Sequence, residues 1–184
     1  MTGNRRSAVG ILVDENVGLI EQAVELITSI DPALYANNDH ELFESGVGRH
    51  LRHILDFYER FLDGRRSFVD YNARRRDERV ESDPTYASEC ARAIIERLRE
   101  IEADATAPAR GGAAPLVVSC EVFDDDGGGL RAASSVEREL SALASHSVHH
   151  YAIIALLLRA QGQSVPSEFG VAPSTLRHRA SQGS

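Results

Sequence analysis

Helical periodicity constrains this chain more than any other feature. Four segments carry apolar residues three or four positions apart, the spacing that lines one face of an α-helix. Ile11, Leu12, Leu19, Ile20, Val24 and Ile27 predict a first helix over residues 8–29, stopped by Asp31 and Pro32. Phe43, Val47, His50, Ile54, Phe57 and Phe61 predict a second over about 44–63, ended by Gly64. Pro84 suits the start of a third, which continues through Ala87, Ala91, Ile94, Ile95, Leu98 and Ile101. Ser134, followed three positions later by Glu137, resembles a capping box opening a fourth helix that runs to Gln161 and stops at Gly162. One apolar stripe per helix implies an all-α, up-down four-helix bundle, a single domain over residues 1–184.

Between helices three and four the pattern changes. After an Ala-, Gly- and Pro-rich run from Ala105 to Ala114, Leu116, Val118, Cys120 and Val122 alternate with Val117, Ser119 and Glu121. With a turn over Asp124 to Gly129 and a return through Leu130 and Ala132, this predicts a short β-hairpin appended to the helices. Arg65 to Asp83 is too polar and arginine-rich to bury and reads as an ordered surface loop, a kind of segment that often carries function. The tail, with Pro166, Phe169, Gly170 and Pro173, has no sustained period but enough apolar residues to dock across the bundle.

Composition narrows the function classes. With 42% hydrophobic and 26% charged residues the chain is neither disordered nor fibrous. A net charge of -8 repels phosphate backbones and anionic membranes, so nucleic acid is not the expected partner. The longest apolar run, Tyr151 to Leu158, is far short of the ~20 residues that cross a bilayer. The start, with Asn4, Arg5 and Arg6, lacks a signal-peptide apolar region, and the expected location is the cytoplasm, away from membranes. Cys90 and Cys120 stand in no CxxC spacing and read as packing residues with free thiols.

The chemical signal is histidine. Five of seven lie in two short stretches, His50 and His53 within HLRH, and His146, His149 and His150 within HSVHH. On the fourth helix, His150 and His146 fall about 20° and 60° from the direction of Leu143, whereas His149 is turned about 120° away. Both His50 and His53 share the side of Ile54, Phe57 and Phe61. Histidines thus point inward from two helices. Buried imidazoles need partners for their ring nitrogens, and neutral rings around a cation satisfy that need. A pair at i and i+4 sits about 6 Å apart at Cβ and can chelate one ion, with a third ring from a facing helix completing a three-His set that leaves positions open. His50 and His53 are rivals for that third place. Glu139, on the same stripe two turns before His146, could orient a ligand, shuttle a proton or serve as a fourth ligand; its alternative is a partner for Arg138.

These residues resemble the DinB-like superfamily of bacterial four-helix proteins, whose pattern has one histidine on the second helix and an HxxxH pair on the fourth. VGRHLRHILDFYERFL looks like the family's first histidine segment, and REL (Arg138 to Leu140) followed by SHSVHHYAIIALLLRAQG like its second. The resemblance implies His53, His146 and His150 as ligands, with His50 and His149 as alternatives. It also implies a divalent ion, zinc or nickel before iron, and a homodimer through helix one or the tail. VDYNARRRDERVE and FGVAPST are similar to features of one subgroup. Characterised members include thiol transferases and isomerases that use mycothiol or bacillithiol, and a related domain binds iron in ergothioneine synthesis. The HRGQ-like continuation frequent in thiol-transferase members is replaced here by HYAI, from His150 to Ile153.

Three readings follow. The first is a metal-dependent transferase or hydrolase acting on a small molecule, such as a low-molecular-weight thiol, with Arg74 and Arg76 neutralising an anionic substrate. The arginines' alternative is salt bridging to Asp77, Glu78 and Glu81. The second is a non-catalytic protein in which metal or a small ligand ties helix two to helix four. The third is an interaction module whose histidines are satisfied by Glu139, Asp56 and backbone groups.

Overall fold

The first helix begins where Ser7 accepts the N–H of Gly10 at 3.0 Å, a side-chain cap, and α1 spans Ala8–Ser29. Asp31 then caps a single short turn, α2 (Pro32–Ala36). The elements that follow are α3 (Val47–Gly64), β1 (Phe68–Asp70), α4 (Glu78–Ser82), α5 (Pro84–Thr106), β2 (Leu116–Phe123), β3 (Gly129–Ser134), α6 (Val136–Ala160) and α7 (Pro173–Gln182). This computed structural model describes residues 6–38, 45–106, 115–123 and 129–182. Phe43, the run over 107–114 and the turn over 124–128 lie outside the described residues.

Four long helices carry most of the core. α1 packs on α5 and α6, and α3 packs on the same two. The four helices predicted from periodicity are present, the first with the expected bounds. α6 alone among the described helices has the length and hydropathy of a membrane span, but α1 and α3 pack against it.

The all-α expectation is corrected by a three-stranded sheet in the order β1-β2-β3. The β2–β3 hairpin is the expected one, antiparallel with Val118 opposite Ala132. Its alternation holds for Leu116 and Val118, both buried, then breaks at a register shift after Ser119, leaving Val122 60% exposed. The third strand comes from the segment read as a surface loop. β1 pairs parallel with β2, Val69 opposite Val118, and Val69 and Tyr71 are buried. Three residues are too few to show a period, and this strand exists because a distant one offers it hydrogen bonds. α4 interrupts the same loop, capped by Asp77 and held by buried Val80.

One smaller correction concerns the start of α6. Ser135, not Ser134, caps α6 by accepting from the N–H of Arg138; Ser134 closes β3 and turns its hydroxyl to Glu139. The tail docks as expected through Phe169, whose ring stacks on Tyr151 with centroids 4.8 Å apart. Gly170 makes this possible: its φ is +72°, and a Cβ there would sit 2.6 Å from the backbone N of Ala152.

The core contains a polar chain. Asn16 on α1 donates to the carbonyl of Leu140 on α6 at 3.0 Å and accepts from Tyr58 on α3 at 2.6 Å. Ser147 on α6 donates to the same Tyr58 hydroxyl at 3.2 Å, and all three residues are fully buried. Ser147 also reaches the Leu143 carbonyl at 2.9 Å, so removing the Tyr58 hydroxyl leaves the buried Asn16 Oδ1 without its donor. Tyr58→Phe is therefore expected to cost about 1–3 kcal/mol, measured as a lowered urea midpoint with an unchanged far-ultraviolet spectrum.

Candidate metal centre

α3 buries Leu51, Ile54, Leu55, Tyr58, Phe61 and Leu62, so His50, His53 and Phe57 fall on the edge of that face. α6 buries Leu140, Leu143, Ala144, Ser147, Tyr151 and Ile154, which centres its face about 50° beyond Leu143. His146 and His150 therefore sit at the margin of the α3–α6 seam, half-buried, and not at the centre of the core. Leu143, the reference direction for these angles, lies toward one side of the buried stripe.

At that margin the rings of His53, His146 and His150 meet. Their centroids are 4.9 Å (His53 to His146), 4.6 Å (His53 to His150) and 4.5 Å (His146 to His150) apart. One ring nitrogen from each lies within 4.8 Å of the others. An ion at ~2.1 Å from each nitrogen needs them ~3.4 Å apart in tetrahedral geometry, a convergence within reach of side-chain rotation. His53, not His50, completes the group. His50 instead meets His150, Nδ1 to Nδ1, at 3.0 Å. His149 is exposed and meets the edge of His150, with ring centroids 5.3 Å apart.

Burial, reinforced by neighbouring positive groups, keeps His53 and His150 neutral at pH 7. Burial, then the neighbouring His146 and Arg74, lower the His53 pKa to about 4. Burial, then His146 and His53, lower that of His150 to about 3. His50 is also lowered, by burial, His149 and Arg49. Neutral imidazoles carry the lone pairs that bind divalent cations.

A cavity of about 220 Å³ adjoins the cluster, walled by Phe57, Tyr71, Val118 and Leu143, with His146 and Glu139 on its surface. Phe57 packs against His53 and His146 and stacks on Tyr71, centroids 5.2 Å apart. The Arg74 guanidinium lies over the Phe57 ring, 4.8 Å from its centroid. Arg76 is exposed, with φ +52°, and its backbone N–H is donated to Asp56. Of the two arginines, Arg74 is the one beside the cluster. Asp56 is buried among Arg52, Arg74 and Arg60. Glu81 pairs with Arg52.

Glu139 is 1% exposed and three groups hold its carboxylate. Tyr71 donates its hydroxyl to Oε2 at 2.7 Å, and Ser134 and Arg138 donate to Oε1. The alternative for Glu139, a pairing with Arg138, is thus present, and Glu139 lines the cavity without joining the three-histidine group. The cavity walls Phe57 and Tyr71 and the role of Ser134 were not anticipated. For Tyr71 the available signal was a large aromatic residue inside an otherwise polar, arginine-rich segment.

No family model matches the chain, and no solved structure matches it. Among curated proteins, a 64-residue stretch is 45% identical to FK506-binding protein 5 of Rhizopus delemar. That stretch is 35% of this chain and 17% of the fungal protein, so the chain spans about a sixth of that relative's length.

Two outcomes are expected. Glu139→Ala leaves buried hydroxyls without their acceptor and should lower stability by about 3 kcal/mol in urea unfolding. Imidazoles of an unfolded chain titrate near 6.5, well above the folded values of His53 and His150. Below about 6.5 the unfolded chain then binds more protons, so stability falls as pH drops toward 4, and above it these rings add no pH dependence. The urea midpoint of the metal-free protein at pH 7, 6 and 5 should fall in that order, less steeply in His53→Gln.

Proposed function

We propose that this is a divalent-metal-binding protein of the DinB-like type, a metal-dependent enzyme acting on a small molecule. In this reading α1, α3, α5 and α6 form an up-down four-helix bundle, the sheet is its appendage, and His53, His146 and His150 hold zinc, nickel or iron. The observation that carries it is the convergence of three ring nitrogens within 4.8 Å from two helices. Depressed pKa values leave lone pairs for a cation, and a cavity beside His146 offers room for a substrate.

A bound ion of this kind supplies Lewis acidity toward a water, a thiol or a carbonyl. The chain's own residues supply the rest. Phe57, Tyr71 and Leu143 give an apolar wall that limits water, and Arg74 adds positive charge beside it. Glu139 holds Tyr71 on the cavity wall, which makes it a positioning residue before a proton carrier. The substrate class is a small molecule, with low-molecular-weight thiols first on grounds of family resemblance; the reaction is a transfer or a hydrolysis. A cytoplasmic homodimer, bound to neither membrane nor nucleic acid, belongs to the same reading.

A second reading, a non-catalytic metal-binding protein, draws on the engagement of both Glu139 oxygens in hydrogen bonds within the fold. The two share a first test. Elemental analysis of untagged protein exposed equally to zinc, nickel and iron should find close to one ion per chain. Folded His53→Ala, His146→Ala and His150→Ala should each retain less than about a tenth of it, as expected when one of three ligands is removed. Metal-free wild-type protein after that exposure would overturn both.

A further inference from the structure

His50 stands outside the three-nitrogen group, yet it is tied to it. Its Nδ1 lies 3.0 Å from Nδ1 of His150, with the rings tilted by 43°. Two ring nitrogens at that distance hold at most one proton between them: one donates an N–H and the other accepts through its lone pair. A metal-ligating imidazole is neutral and presents one bare nitrogen. Because Nδ1 of His150 is turned to His50, the nitrogen left for an ion shared with His53 and His146 is Nε2. The one proton of the His150 ring then sits on Nδ1 and is donated to His50.

We propose that His50 is a positioning residue: by accepting from Nδ1–H of His150, it fixes that ring's tautomer and rotation so that Nε2 faces His53 and His146. This rests on the reading of the three histidines as metal ligands. It assigns separate work to the two histidines of HLRH. His53 joins the cluster, and His50, one turn earlier on α3, orients the ring that α6 contributes. Metal-bound histidines commonly give their second N–H to a carboxylate, a carbonyl or water. A neutral histidine as acceptor orients the ring without adding negative charge. His149, exposed at the edge of His150, takes no part in this bond.

Two measurements on the full chain test this, with zinc(II) alone as the probe. Competition against a chromophoric chelator should show His50→Ala binding zinc about 10–100-fold more weakly than wild type, the usual effect of losing such a partner. His50→Gln, whose amide oxygen still accepts, should recover most of that loss, whereas His53→Ala should not bind stoichiometrically. Long-range proton–nitrogen spectra of the metal-free protein should place the His150 proton on Nδ1 in wild type and shift it toward Nε2 in His50→Ala. Unchanged zinc affinity in His50→Ala would overturn the proposal, as would an Nε2–H tautomer of His150 in the metal-free wild type. Binding by His50→Gln as poor as that of His53→Ala would make His50 a ligand and also overturn it. If the wild type takes up no zinc, the metal reading falls, and the nitrogen spectra alone decide whether His50 sets the tautomer of His150.

Discussion

The chain of buried hydrogen bonds through Asn16, Tyr58 and Ser147 sets the register on which the rest of the molecule depends. Apolar packing is tolerant: a helix can slide or rotate against its neighbours and still bury much of the same area. A fully buried amide and two hydroxyls do not allow this, because any slip leaves polar groups without partners in a medium that cannot solvate them. The three side chains come from α1, α3 and α6, so a single network locks three helices together. Ser147 directly follows His146, and Tyr58 lies five residues after His53. Fixing the first pair of side chains therefore fixes where the second pair can meet.

The histidines occupy the margin of that seam for a physical reason. At its centre they would lose their access to any ligand; on the outer surface they would be solvated and apart. Half-burial lowers the His53 pKa to about 4 and that of His150 to about 3, so the rings stay neutral at pH 7 while the adjoining cavity remains open. Their mutual proximity reinforces this, since each imidazolium would repel the next.

The sheet, small as it is, builds one side of the site. Tyr71 directly follows β1, β2 delivers Val118, and β3 ends at Ser134. Glu139 on α6 gathers Tyr71 and Ser134 onto one buried carboxylate, with Arg138 balancing its charge from the exposed side. The cavity wall is thus anchored to the helix that carries two of the three clustered histidines. A single carboxyl group, satisfied by three donors, links sheet and helices.

How much of this was legible in the chain follows from the range over which each feature is encoded. Helices are local: spacings such as Leu19, Ile20, Val24 and Ile27 declare one apolar face within a few turns, although Ile11 of the same reading is exposed, and the same periodicity put His146 and His150 on one side of one helix. The hairpin, joined by a short connection, was legible for the same reason. What could not be read is whatever depends on residues far apart. β1 exists because Val69 finds Val118. The division between His50 and His53 depends on where His150 arrives, 100 residues after His50. The tie from Tyr71 to Glu139 crosses 68 residues and that from Asn16 to Leu140 crosses 124. By itself the sequence determined the helices, the hairpin and the clustering of histidines, because each is written in nearest-neighbour spacing. Only the tertiary structure decided which rings meet, what holds Glu139 and where the cavity lies, because those follow from packing angles and long-range hydrogen bonds that no local pattern contains.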